Sequence, residues 1–185
     1  GAGDGRFARW LAARQPERGV IALDLCAANL RSASRQAPGN ALFVVADALA
    51  LPAALRGGAA RITVNFPWGS LLRGLVRGDP GLLAGLAAVA TDEATVEIVV
   101  NGGACTETGW PLEAGVKRIA ASLRRIGAHV SEPILLGRAE LRGYPTTWAK
   151  RLAFGRDPRA ARLVATLGRC EAAQGLARSM PARTP

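Results

Sequence analysis

Short β-rich apolar runs alternate with helical repeats along most of this chain. Aliphatic and β-branched residues cluster at Val20–Asp24 and at residues 42–46, 61–65 and 96–100. Between these runs, apolar positions recur at the three- and four-residue spacing of an amphipathic helix, over Arg6–Arg14 and residues 27–37, 69–76 and 82–90. Strand alternating with helix predicts an α/β fold with a mostly parallel sheet covered on both faces. A further helix over 113–126 follows Pro111 and ends before Gly127, as start and stop signals require. Two more strands are expected, over residues 129–136 and Thr147–Phe154. Beyond Arg156 the strand signal fades into Ala, Arg and Gly, and residues 159–167 read as helical. The expected organisation is one domain over 1–156 and an Arg/Ala-rich tail over 157–185, with no internal repeat.

The first residues change the picture. The chain opens Gly1-Ala2-Gly3-Asp4-Gly5-Arg6 and passes at once into a helical pattern. Alternate glycines let a backbone turn tightly and approach a ligand closely. A dinucleotide fingerprint would need its third glycine at position six, which is Arg6. The Gly-x-Gly-x-Gly form suits S-adenosylmethionine instead, with its methionine end over the loop, so Gly1 and Gly3 are expected cofactor contacts. Such loops follow a strand, which aims them at the ligand. The expectation is therefore a sheet whose first strand is missing from this chain. An acid closing the next strand should bind the ribose hydroxyls, and Asp24 stands about 20 residues on, as that geometry asks. Asp47, closing the following run, falls where the adenine of the cofactor would lie. Both acids also suit plain helix or turn caps.

The loop Asn65-Phe66-Pro67-Trp68-Gly69-Ser70 ends the next strand, and ligands in such sheets bind outside the carboxyl ends of strands. It is similar to the N-P-P-aromatic loop of enzymes that methylate base nitrogens, in which a backbone carbonyl orients the target and the ring stacks on it. Asn65 would border the cofactor. Phe66, Pro67 and Trp68 are the candidate catalytic residues of this loop, Trp68 alternatively being a core residue.

Charge adds a partner. Lys and Arg total 24 against 14 acidic residues, a formal net charge of +10. A balance of that size favours nucleic acid, although a coding bias toward Arg, Ala and Gly would also raise it. Three widely spaced cysteines, Cys26, Cys105 and Cys170, offer neither a disulfide framework nor a zinc site, and no metal is expected. No apolar run reaches the ~18 residues of a membrane span. A cytoplasmic monomer without membrane or metal is the plain expectation.

Two segments then carry a specific resemblance. Phe66-Pro67-Trp68-Gly69-Ser70-Leu71-Leu72 and Trp148-Ala149-Lys150-Arg151-Leu152-Ala153-Phe154-Gly155-Arg156 resemble two signatures of the aminoglycoside-resistance 16S ribosomal RNA adenine-N1 methyltransferases of the Kam and Npm type. The opening Gly-x-Gly-Asp-Gly-Arg also matches that family's cofactor motif, and the similarity runs from Gly1 to about Arg156. The resemblance implies a Rossmann-like class I fold with a seven-stranded sheet and S-adenosylmethionine as cofactor. It implies that the substrate is N1 of the decoding-site adenine in an assembled 30S subunit, and that the outcome is aminoglycoside resistance. It places Ala48, with Asp47, where the adenine of the cofactor would lie. It places Trp68 and Trp148 on the two faces of a flipped adenosine, Thr146 where a serine often stands, and Arg151 and Arg156 near the RNA backbone. Three departures stand out: Asn65 replaces an expected apolar residue, Pro158 falls where another arginine would help, and the tail is longer.

The chemistry asks little more. Adenine N1 carries an in-plane lone pair, so alignment matters more than a general base. This suits a chain whose only histidine, His129, lies in an expected strand far from both motifs in sequence and reads as structural. Arg31 and Arg35 are candidates for a docking surface, or else a solvated helix face. Trp10 reads as packing, and Trp110 fits either role. Two alternatives stay open: a methyltransferase of the same fold acting on another RNA or a small molecule, and an inactive RNA-binding remnant.

Overall fold

The computed structural model describes residues 1–168. The elements run α1 (Arg6–Arg14), β1 (Val20–Asp24), α2 (Ala27–Arg35), β2 (Ala41–Val45), β3 (Ala59–Asn65), α3 (Gly69–Arg77), α4 (Pro80–Val89) and β4 (Ala90–Asn101). They continue with α5 (Gly102–Glu107), α6 (Leu112–Arg124), β5 (Ala128–Val130), β6 (Ile134–Leu136), α7 (Arg138–Gly143), α8 (Thr147–Phe154) and β7 (Ala160–Leu167). The expected strand–helix alternation is therefore present through β4.

Among the described residues the strands form two sheets rather than the single sheet expected. β1 pairs β2 in parallel, and a five-stranded sheet runs β3-β4-β7-β5 with β6 also on β7. β3 and β4 are parallel, whereas β7 is antiparallel to β4, β5 and β6. β4 shows how both faces of this sheet are covered. Val96, Ile98 and Val100 enter the main core with Leu72, Leu75 and Ile119 from α3 and α6, whereas Val99 enters a second cluster on the other side. That alternation is the period of two that successive strand residues impose. The second cluster joins Phe66, Leu136, Leu141, Ala149, Ala153 and Ala160, and so lies beneath the segments singled out from the sequence.

Three expectations are corrected. Thr147–Phe154 is a helix, not a strand: Thr146 caps its first turn, and Ala149 and Ala153, four residues apart, both turn inward. Residues 159–167 are not helical but contain β7, whose buried residues fill the slot between β4 and β5. The Ala-rich composition favours helix in isolation, but tertiary pairing overrides so weak a preference. The sheet consequently continues past the domain boundary expected after Arg156, and the rest of the 157–185 tail, with Cys170, lies outside the described residues. Finally, residues 129–136 form two short strands separated by Ser131-Glu132-Pro133, since proline has no N–H to give a ladder.

At the front, Gly5 carries a true constraint. It adopts φ 67°, and a Cβ there would lie 2.5 Å from Ala33 Cβ and 2.6 Å from the Phe43 ring. Only glycine lets the loop turn this tightly against α2 and β2.

If β7 is the central strand described, truncating Leu163 inside it should be costly. Leu163→Ala is expected to remove about 2–5 kcal/mol of stability, read as a lower midpoint in chemical denaturation. A surface helix in its place would lose under ~0.5 kcal/mol.

Candidate active site

Asp24 closes β1 and organises the glycine loop. Its Oδ2 accepts the Gly3 N–H at 2.7 Å, and its Oδ1 accepts Cys26 N–H at 2.9 Å and Asn29 Nδ2 at 3.2 Å. Ala2 N–H also donates to Leu23 O at 2.6 Å, so the loop is laid along the end of the strand. A carboxylate offers about four acceptor positions; three are filled here, and Oδ2 keeps room for another donor. Gly3 adopts φ 55°, and a Cβ on it would meet nothing within 4 Å, so one side of the loop is open. A glycine loop with an open side next to a carboxylate with a spare lone pair fits a nucleoside-bearing cofactor such as S-adenosylmethionine. Asp47 follows β2, and its Oδ1 caps the next turn by accepting Leu49 N–H at 2.9 Å. Ala48 is half-buried beside it.

The second part follows β3. Phe66 is buried, with φ 52°, and its N–H donates to Val99 O at 2.7 Å. A non-glycine residue in the left-handed region costs about 1–3 kcal/mol and persists only where its surroundings enforce it. Here the Phe66 ring fills the second cluster, and Pro67 behind it is also buried. The pair therefore forms a foundation. What the loop displays is Trp68, 47 % exposed. Asn65 turns its side chain aside, its Oδ1 accepting the Tyr144 hydroxyl at 2.8 Å.

The third part is the turn before α8, and it brings Trp148 to Trp68. Their ring centroids lie 6.1 Å apart with planes at 47°, and Trp148 is 39 % exposed. The sequence placed these two residues 80 positions apart; the fold makes them neighbours. Thr146 has a different occupation from the RNA contact expected of it: buried, its Oγ1 accepts Ala149 N–H at 3.0 Å and starts the helix. Arg151 sits over the Trp148 ring at 5.8 Å, and Arg156 is exposed beyond the helix. Arg31 and Arg35 are exposed on α2.

Several contributors carried no sequence signal. The Thr147 hydroxyl donates to Asp4 Oδ2, tying α8 to the glycine loop. The single tyrosine, Tyr144, stacks on Phe7 at 6.2 Å and meets Phe66 edge-on at 5.7 Å. Burial, then the nearby Glu97 carboxylate, hold its hydroxyl well above the usual phenol range, so it stays a neutral donor. The remaining groups stand apart. Trp10 packs on Phe7 with Arg14 over it, Trp110 carries Arg118 at 4.3 Å, and His129 is exposed on β5. Cys105 is buried in the core, and burial, then Glu113, push its thiol up to about 11, which removes it as a nucleophile. Among the described residues no cluster of His, Cys, Asp or Glu could hold a metal, and no helix is long and apolar enough to cross a membrane.

Comparison with known proteins identifies the family. A family model described as NpmA, 16S rRNA (adenine(1408)-N(1))-methyltransferase, matches residues 1–167. An Escherichia coli 16S rRNA (adenine(1408)-N(1))-methyltransferase is 30% identical over 174 residues, covering 84% of this chain and 80% of that protein. Its counterpart from Streptoalloteichus hindustanus is 31% identical over 173 residues, covering 85% and 80%. Among solved structures, the 16S rRNA methyltransferase KamB superposes with a TM-score of 0.79 at 28% identity, covering 91% of this chain and 86% of its own. A tryptophan-to-alanine variant of the Catenulisporales acidiphilia 16S rRNA (adenine(1408)-N(1))-methyltransferase, with its cosubstrate SAM, gives 0.77 at 27% identity, covering 98% and 86%. The aminoglycoside resistance methyltransferase NpmB1 gives 0.72 at 28% identity, covering 90% and 84%. With a family model matched along almost the whole described chain, this protein belongs to the 16S rRNA (adenine(1408)-N(1))-methyltransferase family.

Proposed function

We propose that Trp68 and Trp148 hold the target adenine between their rings while the glycine loop and Asp24 hold S-adenosylmethionine beside it. The observation that carries this reading is the pair of exposed tryptophans, 6.1 Å apart, on segments tied to the glycine loop. The activity is methylation of N1 of adenine-1408 of 16S rRNA in the 30S subunit, with aminoglycoside resistance as its consequence. The protein acts in this reading as a cytoplasmic monomer, where ribosomal subunits are found.

S-adenosylmethionine, when bound, supplies an electrophilic methyl on a sulfonium. The chain's own residues supply position. Gly1 and Gly3 would let the backbone approach the cofactor closely, and Asp24 Oδ2, which accepts Gly3 N–H, would also accept a ribose hydroxyl. Asp47 and Ala48 border the cofactor's adenine, and Asn65 bounds the site from β3. Adenine N1 carries an in-plane lone pair, so no residue has to remove a proton before it could take the methyl group, the sulfonium S–CH3 bond breaking as N1–CH3 forms and S-adenosylhomocysteine leaving. Holding the two reactants in line can supply about 7–11 kcal/mol of the barrier.

The tryptophans must open to work. A base between two rings needs about 3.5–4.0 Å on each face, more than the 6.1 Å between centroids, and nearly parallel planes rather than 47°. Both rings are exposed, so rotation meets little obstruction. Arg151 and Arg156, with Arg31 and Arg35 on α2, are placed to meet phosphates, which fix register without reading sequence.

The reading is tested by transfer of labelled methyl to intact 30S subunits, with digestion to nucleosides to find 1-methyladenosine. Label on free nucleoside or on another base and none at that adenine would replace it with a different substrate. Trp68→Ala and Trp148→Ala should each abolish most methylation while cofactor affinity and melting temperature hold; Phe should preserve more than Ala, because a π-face remains. Joint loss of methylation, both affinities and stability would make the tryptophans core residues.

Asp24→Ala should weaken S-adenosylmethionine binding by roughly tenfold or more, since a charge-assisted hydrogen bond is worth about 1.5–3 kcal/mol. Subunit docking should hardly change. Calorimetry with the cofactor and sedimentation with subunits measure the two separately, and the reverse pattern would remove Asp24 from the cofactor site.

A further inference from the structure

We propose that Tyr144 is a positioning residue that sets the mouth between Trp68 and Trp148 by fastening together the two segments that carry them. The inference rests on the reading that these rings flank the target adenine. Tyr144 lies four residues before Trp148, in the turn that starts α8, where Thr146 N–H donates to Tyr144 O at 2.9 Å. Its hydroxyl reaches across to Asn65, three residues before Trp68, at 2.8 Å. Each tryptophan therefore stands within one turn of chain from one end of a single hydrogen bond.

The bond is built to hold. Glu97 Oε1 lies 3.4 Å from the same hydroxyl oxygen, and Glu97 Oε2 takes the Arg61 guanidinium at 2.8 Å, so the far side of the fastening is anchored on the paired strands β3 and β4. Tyr144 is half-buried, so leaving its hydroxyl without an acceptor would cost part of its desolvation. The ring adds a second grip. It meets Phe66, the residue with positive φ under Trp68, edge-on at 5.7 Å, and stacks on Phe7, one residue into α1 from the cofactor loop. Tyr144 thus touches all three segments that converge on the site. Without the hydroxyl, the α8 turn and the Asn65–Trp68 loop keep their packing but lose the one directional contact that fixes their separation.

Tyr144→Phe keeps the ring and removes only the fastening. It is expected to lower kcat on 30S subunits by about three- to tenfold, with KM for subunits and affinity for S-adenosylmethionine within about twofold and melting nearly unchanged. Asn65→Leu should lower kcat by a similar factor, with cofactor affinity measured separately because Asn65 also bounds the cofactor site. In kcat the double variant should be no worse than either single one, because both remove the same bond. A readout without turnover is the exciton signal of the tryptophan pair in circular dichroism, defined by its loss in Trp148→Ala; it should change in Tyr144→Phe. Unchanged kcat and an unchanged exciton signal in Tyr144→Phe, with Trp148→Ala inactive, would overturn the fastening and leave the clamp standing. Additive losses in the double variant, or a parallel fall in kcat, cofactor affinity and melting, would also overturn it in favour of plain packing. Full activity in Trp148→Ala would remove the clamp itself, and the fastening with it.

Discussion

The proposed site answers to one exchange: an adenine in a folded RNA would have to give up its own stack before its N1 could be reached. Leaving the stack costs a few kcal/mol, and one aromatic face returns about 1–3 kcal/mol per base. A single ring therefore roughly breaks even, whereas two rings tip the balance. That requirement explains why the fold gathers an aromatic from β3's loop and another from α8, positions 68 and 148, into one exposed pair. Neither segment could supply both faces.

Bringing the rings together puts strain elsewhere. Trp68 is aimed outward because Phe66, two residues earlier, takes a left-handed backbone conformation and drives its ring into the cluster with Leu141, Ala149 and Ala153. The same cluster seats α8, so the packing that holds Phe66 in its unfavourable conformation also fixes the helix bearing Trp148. β7 matters here for a mechanical reason. Its first residue, Ala160, belongs to that cluster, and its pairing with β4 opposes Ala160 to Asn101 just beyond Val99, whose carbonyl receives Phe66 N–H. The strand is a floor under the site.

The sequence made the glycine loop, Asp24 and the Trp68 loop legible because their signals are local: turn glycines, a strand-end acid and an aromatic flanked by Pro67 and Gly69 each show within a few residues, whereas the Trp148 segment was picked out by family resemblance alone. α1 and β1 were likewise readable to the residue from apolar spacing. What failed were segments whose state is set by distant partners. Ala160–Leu167 is Ala-rich and became a strand only because β4 and β5 flank it; Thr147–Phe154 reads as β-prone through Thr and Trp, yet its inward alanines dictate a helix. Thr146, expected at the RNA, caps α8, a task that its own neighbours do not announce, because a threonine at a helix start is readily used by the backbone. Tyr144, and the contact that Asp4 makes with α8, left no trace for a similar reason. The two partners, Asn65 and Thr147, lie 79 and 143 residues away.

The choice of tryptophan has a further consequence for the reaction itself. Adenine enters the clamp neutral and, on gaining a methyl at N1, becomes a cation. A ring face attracts a cation, and indole more than phenyl, by about 0.5–2 kcal/mol depending on desolvation. Two such faces attract the base more strongly as its charge develops than they do at the start, and only interactions that strengthen toward the transition state accelerate a reaction. The proposed clamp would thus contribute to rate as well as to capture. Arg151, which sits 5.8 Å over Trp148, is compatible with this only while it lies on the outer face of that ring. A phosphate that draws its guanidinium outward would free the indole for the base, so docking and charge stabilisation would reinforce one another at the same tryptophan.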